Sequence, residues 1–377
     1  MEINPKSIWI VAGEQSGDAR GAELLRELKA RQPELKVYGA GGPKMRAYAT
    51  EPFDEWIEQA GVLGLWDVIK HYPYFRKKFT AMQANIARVQ PDAVVLVDYP
   101  GFNLRLAKAL RVTHPKLKII YYISPQVWAW NRGRIPKMAK ILDLMICIFP
   151  FEKTLYEASG LPTEFVGHPL VEELARNRQP IARQENLLGL FPGSREREIK
   201  RLFPVMLEAA KLVLKSRPEV IFEAAAANEA HAEWMRREAK AARVHCTVNT
   251  GQAHELMQKA TAGIVCSGTA TLEAAYFGLP YCLVYKIAWL TFEIGRRLVT
   301  IRFLGIVNIL AGKQVIREYI QHFCTPFALA DESLRLLNSA EARSGLQSQL
   351  AEIIASLGGP GASSGAAEAI LRELSEV

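Results

Sequence analysis

Short apolar runs alternate with stretches of helical periodicity along this chain. The first are 8–12, a strand, then 19–31, a helix, and 36–39, a second strand. Residues 93–97 read Ala-Val-Val-Leu-Val, which predicts a strand buried on both faces of a parallel sheet. Residues 118–123 and 144–149 repeat the theme, and a second series runs through 187–191, 220–225, 244–248, 263–266 and 281–285. Strands separated by helix-length segments are the pattern of βαβ units. The expected fold class is therefore α/β, two Rossmann-like domains with parallel sheets facing a cleft. The charged stretch 171–186, which carries Pro180, reads as the link between them. The expected division is 1–172, 173–345, and C-terminal helices over 346–377 that cross back to the N-terminal domain or to a partner subunit. Within that tail, 358–365 is a Gly- and Ser-rich break before a last helix at 366–376.

Composition narrows the class. A chain of 377 residues that is 49% hydrophobic and 23% charged is neither disordered nor fibrous, and two domains suit its length. Its net charge of +8 favours anionic partners: nucleic acid, phosphorylated small molecules or an acidic membrane surface. The 5 cysteines are scattered without a C-x-x-C pair, which argues against a disulfide framework or zinc site and for a reducing cytoplasm. The polar start predicts no signal peptide, and no window supplies about 18 uninterrupted apolar residues, so no spanning helix is expected.

Ligands of open α/β sheets sit beyond the carboxyl ends of strands, so chemistry is sought in the strand-to-helix loops. The first loop, Gly13-Glu-Gln-Ser-Gly-Asp18, offers glycines for close backbone approach before a helix with free N–H groups. Its spacing is not G-x-G-x-x-G, against a dinucleotide fingerprint. Locally, Asp18 also reads as a plain N-cap and Glu14 as a solvated residue. The second loop, Asp98-Tyr-Pro-Gly-Phe-Asn103, follows the buried strand. Asn103 supplies an N-cap for a helix at 104–112, which leaves Asp98 either as a general base or as an Asp bonded to nearby backbone N–H groups.

The third loop, Phe191-Pro-Gly-Ser-Arg-Glu-Arg-Glu198, makes Ser194 the N-cap and crowds Arg195, Arg197 and Lys200 into the first turns. Cations there oppose the helix dipole at roughly 0.3–1 kcal/mol each when exposed; Glu196 and Glu198 offset part of this, and a bound anion would remove the rest. Including Gly193, the loop reads as a diphosphate cradle, the alternative being a solvated helix start. In the fourth loop, Cys266-Ser-Gly-Thr-Ala-Thr-Leu-Glu273, the turn is Ser267, Gly268 and Thr269. Glu273 lies one turn into a helix ending at Gly278, placed to accept from a ribose hydroxyl or to stand as a surface glutamate.

Two apolar-basic stretches, 62–79 and 287–310, suit an interfacial element on anionic lipid, although core faces with basic backs have the same pattern. Of the 7 histidines only His168 lies where a cleft is expected. No cluster has metal-ligand spacing, G-x-S-x-G is absent, and no helix-turn-helix, finger or aromatic RNA signature is present. Metal, serine-hydrolase and nucleic-acid readings drop out.

Taken in order, these motifs with Tyr122-Ile-Ser-Pro-Gln-Val-Trp-Ala-Trp130, Pro150-Phe-Glu152, Phe165-Val-Gly-His-Pro169 and Asn308-Ile-Leu-Ala-Gly312 resemble the lipid-A-disaccharide synthases, inverting glycosyltransferases of the GT-B type. The departures are Gln15 where Thr is common, Val307 where Pro usually precedes Asn308, and Arg317 where Pro often precedes Glu318. The resemblance implies transfer of 2,3-diacylglucosamine from its UDP derivative to 2,3-diacylglucosamine 1-phosphate, giving the β-1,6-linked disaccharide 1-phosphate and UDP, with no cofactor and no metal. It implies a membrane-facing acceptor domain first and a UDP-sugar domain second. Asp98 is the first choice of base and Glu14 the second, with Ser16 and Gln126 on the acceptor side. Gly193, Ser194, Arg195, Ser267, Gly268, Thr269, Thr271, Glu273 and Asn308 hold the UDP. Leu63, Leu65, Trp66, Ile69 and Phe75 meet the lipid. The implied location is cytoplasmic, peripheral on the anionic inner-membrane surface, with a homodimer through exchanged C-terminal segments as a family precedent. Two alternatives stay open at this point: a non-hydrolysing UDP-sugar epimerase of the same fold, and a non-catalytic membrane-associated nucleotide-sugar-binding protein.

Overall fold

A run of apolar residues with no polar alternation has no face to give to water, so both of its faces must be covered. The computed structural model, which describes residues 6–57, 72–289, 292–293 and 301–375, meets that demand with two parallel sheets flanked by helices. The first contains β1 (Ser7–Ala12), β2 (Lys36–Gly41), β3 (Phe53–Glu55), β4 (Ala93–Val97), β5 (Lys118–Tyr122), β6 (Leu144–Cys147) and β7 (Thr163–Phe165), in the order β3-β2-β1-β4-β5-β6-β7. The second contains β8 (Gln184–Phe191), β9 (Ile221–Ala226), β10 (Cys246–Thr250), β11 (Ala260–Cys266), β12 (Tyr281–Tyr285) and β13 (Glu318–Ile320), in the order β10-β9-β8-β11-β12-β13. Both orders reverse direction once, between β1 and β4 and between β8 and β11. Such a switch point opens a crevice at the carboxyl ends of the two central strands.

Strand period sorts the first core. Ile8, Ile10, Val95, Val97 and Ile120 face one way, onto Leu24, Leu25 and Leu28 of the helix Gln15–Arg31. Trp9, Val11, Val94, Leu96 and Tyr121 face the other, onto Met82 and Ile86 of Tyr72–Val89 and Leu106 and Leu110 of Pro100–Thr113. The chain divides into two compact units, residues 1–172 with 357–377, and residues 173–356. The tail joins the first unit because Ala366, Ala367, Ala369, Ile370 and Leu374 of the helix Ala362–Ser375 complete the face formed by Ile8 and Ile10. Lys118 Nζ to Glu373 Oε2 at 2.8 Å and the Arg372–Glu164 pair at 2.6 Å add polar contacts at its rim.

Several boundaries differ from those expected. The last helix starts at Ala362, so Gly365 lies inside it, packed against Val166, and not in a loop. The first helix starts at Gln15, with Glu14 as its extended N-cap, so Asp18 lies inside the helix and is not its cap. Instead the buried Asp18 carboxylate accepts from the backbone N–H groups of Gly42, Lys44 and Met45 at 2.9, 3.1 and 3.0 Å, capping the short helix Pro43–Arg46. Strands β3, β7 and β13 were absent from the expected set. Each has three residues and lies at a sheet edge, too short to show a period.

Candidate functional site

In the first unit β1 and β4 are paired in register to their last residues, Ala12 opposite Val97. Gly13-Glu14 and Asp98-Tyr99 therefore emerge side by side at the switch point. Asp98 and Tyr99 both have left-handed backbones, with φ 46° and 49°, a conformation that costs non-glycine residues of order 1–3 kcal/mol each. The surrounding bonds hold it. Asn103 Nδ2 donates to the carbonyls of Val97 at 3.2 Å and Asp98 at 2.8 Å, and the buried Tyr121 hydroxyl donates to the Asp98 carbonyl at 2.5 Å. Asn103 is thus not the N-cap; the helix begins at Pro100 and Tyr99 occupies the cap. Gly13 is required where it stands, since a Cβ would lie 2.2 Å from the Tyr99 ring. That ring meets Trp56 edge to face at 6.0 Å, and Trp56 Nε1 donates to the Ala12 carbonyl at 2.7 Å.

Burial, and next the charge of Glu14, push the Asp98 carboxyl up to about 6; the Tyr99 N–H opposes both. A carboxyl with that value is half ionised near pH 6 and largely ionised at neutral pH, and is suited to taking a proton. Glu14 and Ser16 are exposed at the start of the first helix, and Gln126 is exposed in the loop after β5, the strand next to β4. Behind that loop Glu152 is fully buried, accepting from Trp128 Nε1 at 2.8 Å and the Phe149 N–H at 3.1 Å, and burial raises its carboxyl to about 7. His168 accepts from the Leu170 N–H through Nδ1 at 3.1 Å and gives its own backbone N–H to the Leu357 carbonyl at 3.0 Å. Burial and then the Arg20 charge lower its ring to about 4. It is a neutral joint between the β7 loop and the tail.

In the second unit the register again brings two loops level, with Val265 opposite Phe191. A cavity of about 440 Å³ opens there, with Gly193, Ser194 and Arg195 on one side and Ser267, Gly268, Thr269 and Glu273 on the other. Helices Glu196–Ser216 and Thr269–Tyr276 both begin at it, so their unpaired N–H groups supply positive potential. Gly193 has φ 105° and a Cβ there would lie 2.5 Å from Glu198 Oε2. Arg195, not Ser194, is the N-cap: its backbone is extended and its N–H is held by Glu198 Oε2 at 3.4 Å. Its guanidinium is largely exposed beside Glu198 Oε1 at 3.1 Å. Of the three cations expected in the cradle only Arg195 lines this cavity; Lys200 pairs with Glu196 at 2.6 Å.

Thr271 and Asn308 are spent inside the fold. The buried Thr271 hydroxyl donates to the Gly268 carbonyl at 2.7 Å. The buried Asn308 amide donates to Ile316 O and Glu318 Oε1 at 2.8 and 2.7 Å and accepts from the Val315 and Ile316 N–H groups at 2.7 and 2.9 Å. Both shape loops and neither lines the cavity. Sequence reasoning passed over His254, whose Nε2 lies 3.2 Å from Glu273 Oε2 while Nδ1 lies 3.3 Å from Asn177 Nδ2. The reading that placed only His168 at a cleft missed it because β10 runs to Thr250, two residues beyond its expected end, which puts His254 in the first turn of the helix Ala253–Lys259 that follows.

Of the expected lipid contacts, Leu63, Leu65, Trp66 and Ile69 lie outside the described residues. Phe75 is half-buried, 6.2 Å from the Trp56 ring centroid and packed at the edge of the core. Lys78 pairs with Asp54 at 2.6 Å. In the second stretch Trp289 is 72% exposed, and Arg302 lies over the Phe303 ring. Arg296 and Arg297 lie outside the described residues. Among those residues no helix is long and apolar enough to cross a membrane.

A family model described as Lipid-A-disaccharide synthetase matches residues 8–370. The chain is 39% identical over 366 residues to a lipid-A-disaccharide synthase of Trichlorobacter lovleyi, covering 95% of each. It is 37% identical over 381 residues to lipid-A-disaccharide synthase 1 of Legionella pneumophila, covering 99% of each. Among solved structures it is similar to UDP-GlcNAc 2-epimerase from Neisseria meningitidis bound to UDP-GlcNAc, with a TM-score of 0.62 at 11% identity, covering 97% of this chain and 100% of that one. It is also similar to the calicheamicin glycosyltransferase CalG4, with a TM-score of 0.57 at 14% identity and full coverage of both. At such identities the structures speak for the GT-B fold alone.

Proposed function

The chain belongs to the lipid-A-disaccharide synthase family, and from that premise we propose that it transfers 2,3-diacylglucosamine from UDP-2,3-diacylglucosamine to 2,3-diacylglucosamine 1-phosphate. The product is the β-1,6-linked disaccharide 1-phosphate. As a family member it is a glycosyltransferase that uses a nucleotide sugar. The observation that carries the finer reading is Asp98, a carboxyl at the switch point whose pKa is raised to about 6. A sugar hydroxyl is a weak nucleophile, and a base must take its proton as the bond forms. Asp98 takes the proton of the acceptor 6-hydroxyl. The oxygen attacks the donor anomeric carbon from the face opposite UDP, the C1–O bond breaks, and its electron pair leaves on the β-phosphate. Arg195 and the N–H groups of the two helix starts meet the charge that develops there. Glu273 accepts from the ribose, and Glu14 stands as the second choice of base.

Both substrates carry acyl chains, so the enzyme works at an anionic lipid surface to which it is peripherally attached on the cytoplasmic side of the inner membrane. Mass spectrometry of products from the two diacyl substrates tests the reaction. The expected result is equal formation of UDP and disaccharide 1-phosphate. Conversion of the UDP-sugar alone to an epimer, or binding without turnover, would overturn it.

A further inference from the structure

A second cavity, of about 400 Å³, lies in the first unit between the helix Pro100–Thr113 and residues 134–141. Five cations line it: Arg105, Lys108, Arg134, Lys137 and Lys140. No carboxylate lines it, and among the described residues no ion pair involves any of the five. Arg134 lies over the Trp130 ring, 5.1 Å from its centroid, and the others are exposed. Like charges gathered around one concavity raise its potential and are relieved by a bound anion. The lining is not cationic throughout. Leu104, Met138 and Ile141 give it an apolar floor, and Met138 is buried. A purely polyanionic ligand has no use for that floor, whereas a phosphate on an acylated body uses both.

Position supplies the second half of the argument. Pro100 and Gly101 line one end of this cavity and directly follow Asp98 and Tyr99 in the chain. At 1.5 Å per residue, Lys108 lies about 10 Å along the helix from Gly101. Neither Asp98 nor Tyr99 lines the groove, but its Pro100–Gly101 end follows them in the chain, and its cations extend from there along the helix. A ligand with a hydroxyl at the Gly101 end meets Arg105 about 6 Å along the helix, roughly a sugar ring away, and Lys108 beyond it.

We propose that this groove binds the phosphate of the acceptor, a phosphorylated acyl sugar, through Arg105, Lys108 and Lys137, and so sets its free hydroxyl toward Asp98. The assignment rests on the proposed reaction and adds to it a recognition site for the acceptor. The same cations could serve a phosphodiester headgroup of the bilayer, and the test separates the two sources.

Arg105→Ser, Lys108→Ser and Lys137→Ser are assayed in detergent micelles with the acceptor 1-phosphate and with the same diacyl sugar lacking phosphate. Each variant is expected to raise KM for the phosphorylated acceptor about five- to tenfold, as for loss of one charge-assisted hydrogen bond. It should leave KM for the dephosphorylated acceptor and for the donor unchanged, with thermal midpoints as in the parent. An unchanged KM for the phosphorylated acceptor, or an equal rise with both acceptors, overturns the assignment. Loss of binding to phosphatidylglycerol vesicles with an unaltered acceptor KM also overturns it, in favour of a headgroup site. Calorimetric titration of the parent and variants with the acceptor 1-phosphate, without donor, reads the groove even if no transfer occurs. Absence of turnover with intact, variant-sensitive binding would sink the reaction and leave the groove standing.

Discussion

Asn103 Nδ2 donates to the main-chain carbonyl of Asp98 at 2.8 Å, fixing the backbone of the candidate base without engaging its carboxyl. A side chain buried in one helix thereby helps hold two consecutive left-handed residues at the end of a neighbouring strand. This relationship yields a pair of contrasting variants. Asp98→Asn keeps size and backbone and removes the base, so kcat is expected to fall by about 10²–10⁴ with UDP affinity unchanged. Asn103→Ala frees the backbone and is expected to lower both kcat and thermal stability. Near-normal turnover of Asp98→Asn by product assay would remove Asp98 from the role.

The pH dependence follows from the cause of the Asp98 shift. Its proton must be absent for it to accept another, so kcat/KM should rise with pH through about 6 on the acid limb. Glu14 contributes to that shift through its charge. Glu14→Gln should therefore move the limb to lower pH while activity above the limb persists. A pH–rate profile of the two proteins decides it, and a limb that stays in place would deny the coupling. Abolished activity at every pH would instead favour Glu14 as the base.

On the nucleotide side two variants separate anion from ribose. If the Arg195 guanidinium meets the diphosphate as proposed, Arg195→Ala should weaken UDP by about tenfold and affect uridine little. His254→Ala should weaken UDP through loss of the contact that orients Glu273, and should have no effect on 2′,3′-dideoxy-UDP. His254→Gln, which keeps a donor for Glu273, is expected to restore binding. Calorimetry measures all of these, and equal losses for UDP and the dideoxy nucleotide would reduce His254 to a packing residue.

Glu152 makes a stability prediction with a definite sign. Burial raises its carboxyl from the ordinary 4.5 to about 7, so the folded state holds a proton that the unfolded chain has lost between those values. Its stabilising contribution is complete below about 4.5 and is lost as pH rises through about 7, a change of roughly 3 kcal/mol at most. Chemical denaturation between pH 5 and 8 should show this decline, and Glu152→Gln should flatten it. A parallel slope in the variant would assign the decline to other groups.

The sequence alone determined the class of fold and the strand-to-helix loops at which the candidate sites gather. A strand buried on both faces is recorded locally, as contiguous apolar residues such as Ala93 to Val97, and a loop after it is recorded by its glycines and polar residues. The three-residue edge strands were illegible because a period needs length. Which residues of a loop reach the ligand cavity was decided only by tertiary structure. Strand order and register bring Glu14 beside Asp98, and Arg195 across from Glu273, although each pair is far apart in the chain. Hydrogen bonding then sorted similar polar side chains into different uses. Asn308 and Thr271 are committed inward, Asn103 supports Asp98 and does not cap a helix, and His254 is drawn to Glu273. A polar residue reads the same in sequence whether its partner is protein or ligand, because the partner that satisfies it comes from elsewhere in the chain.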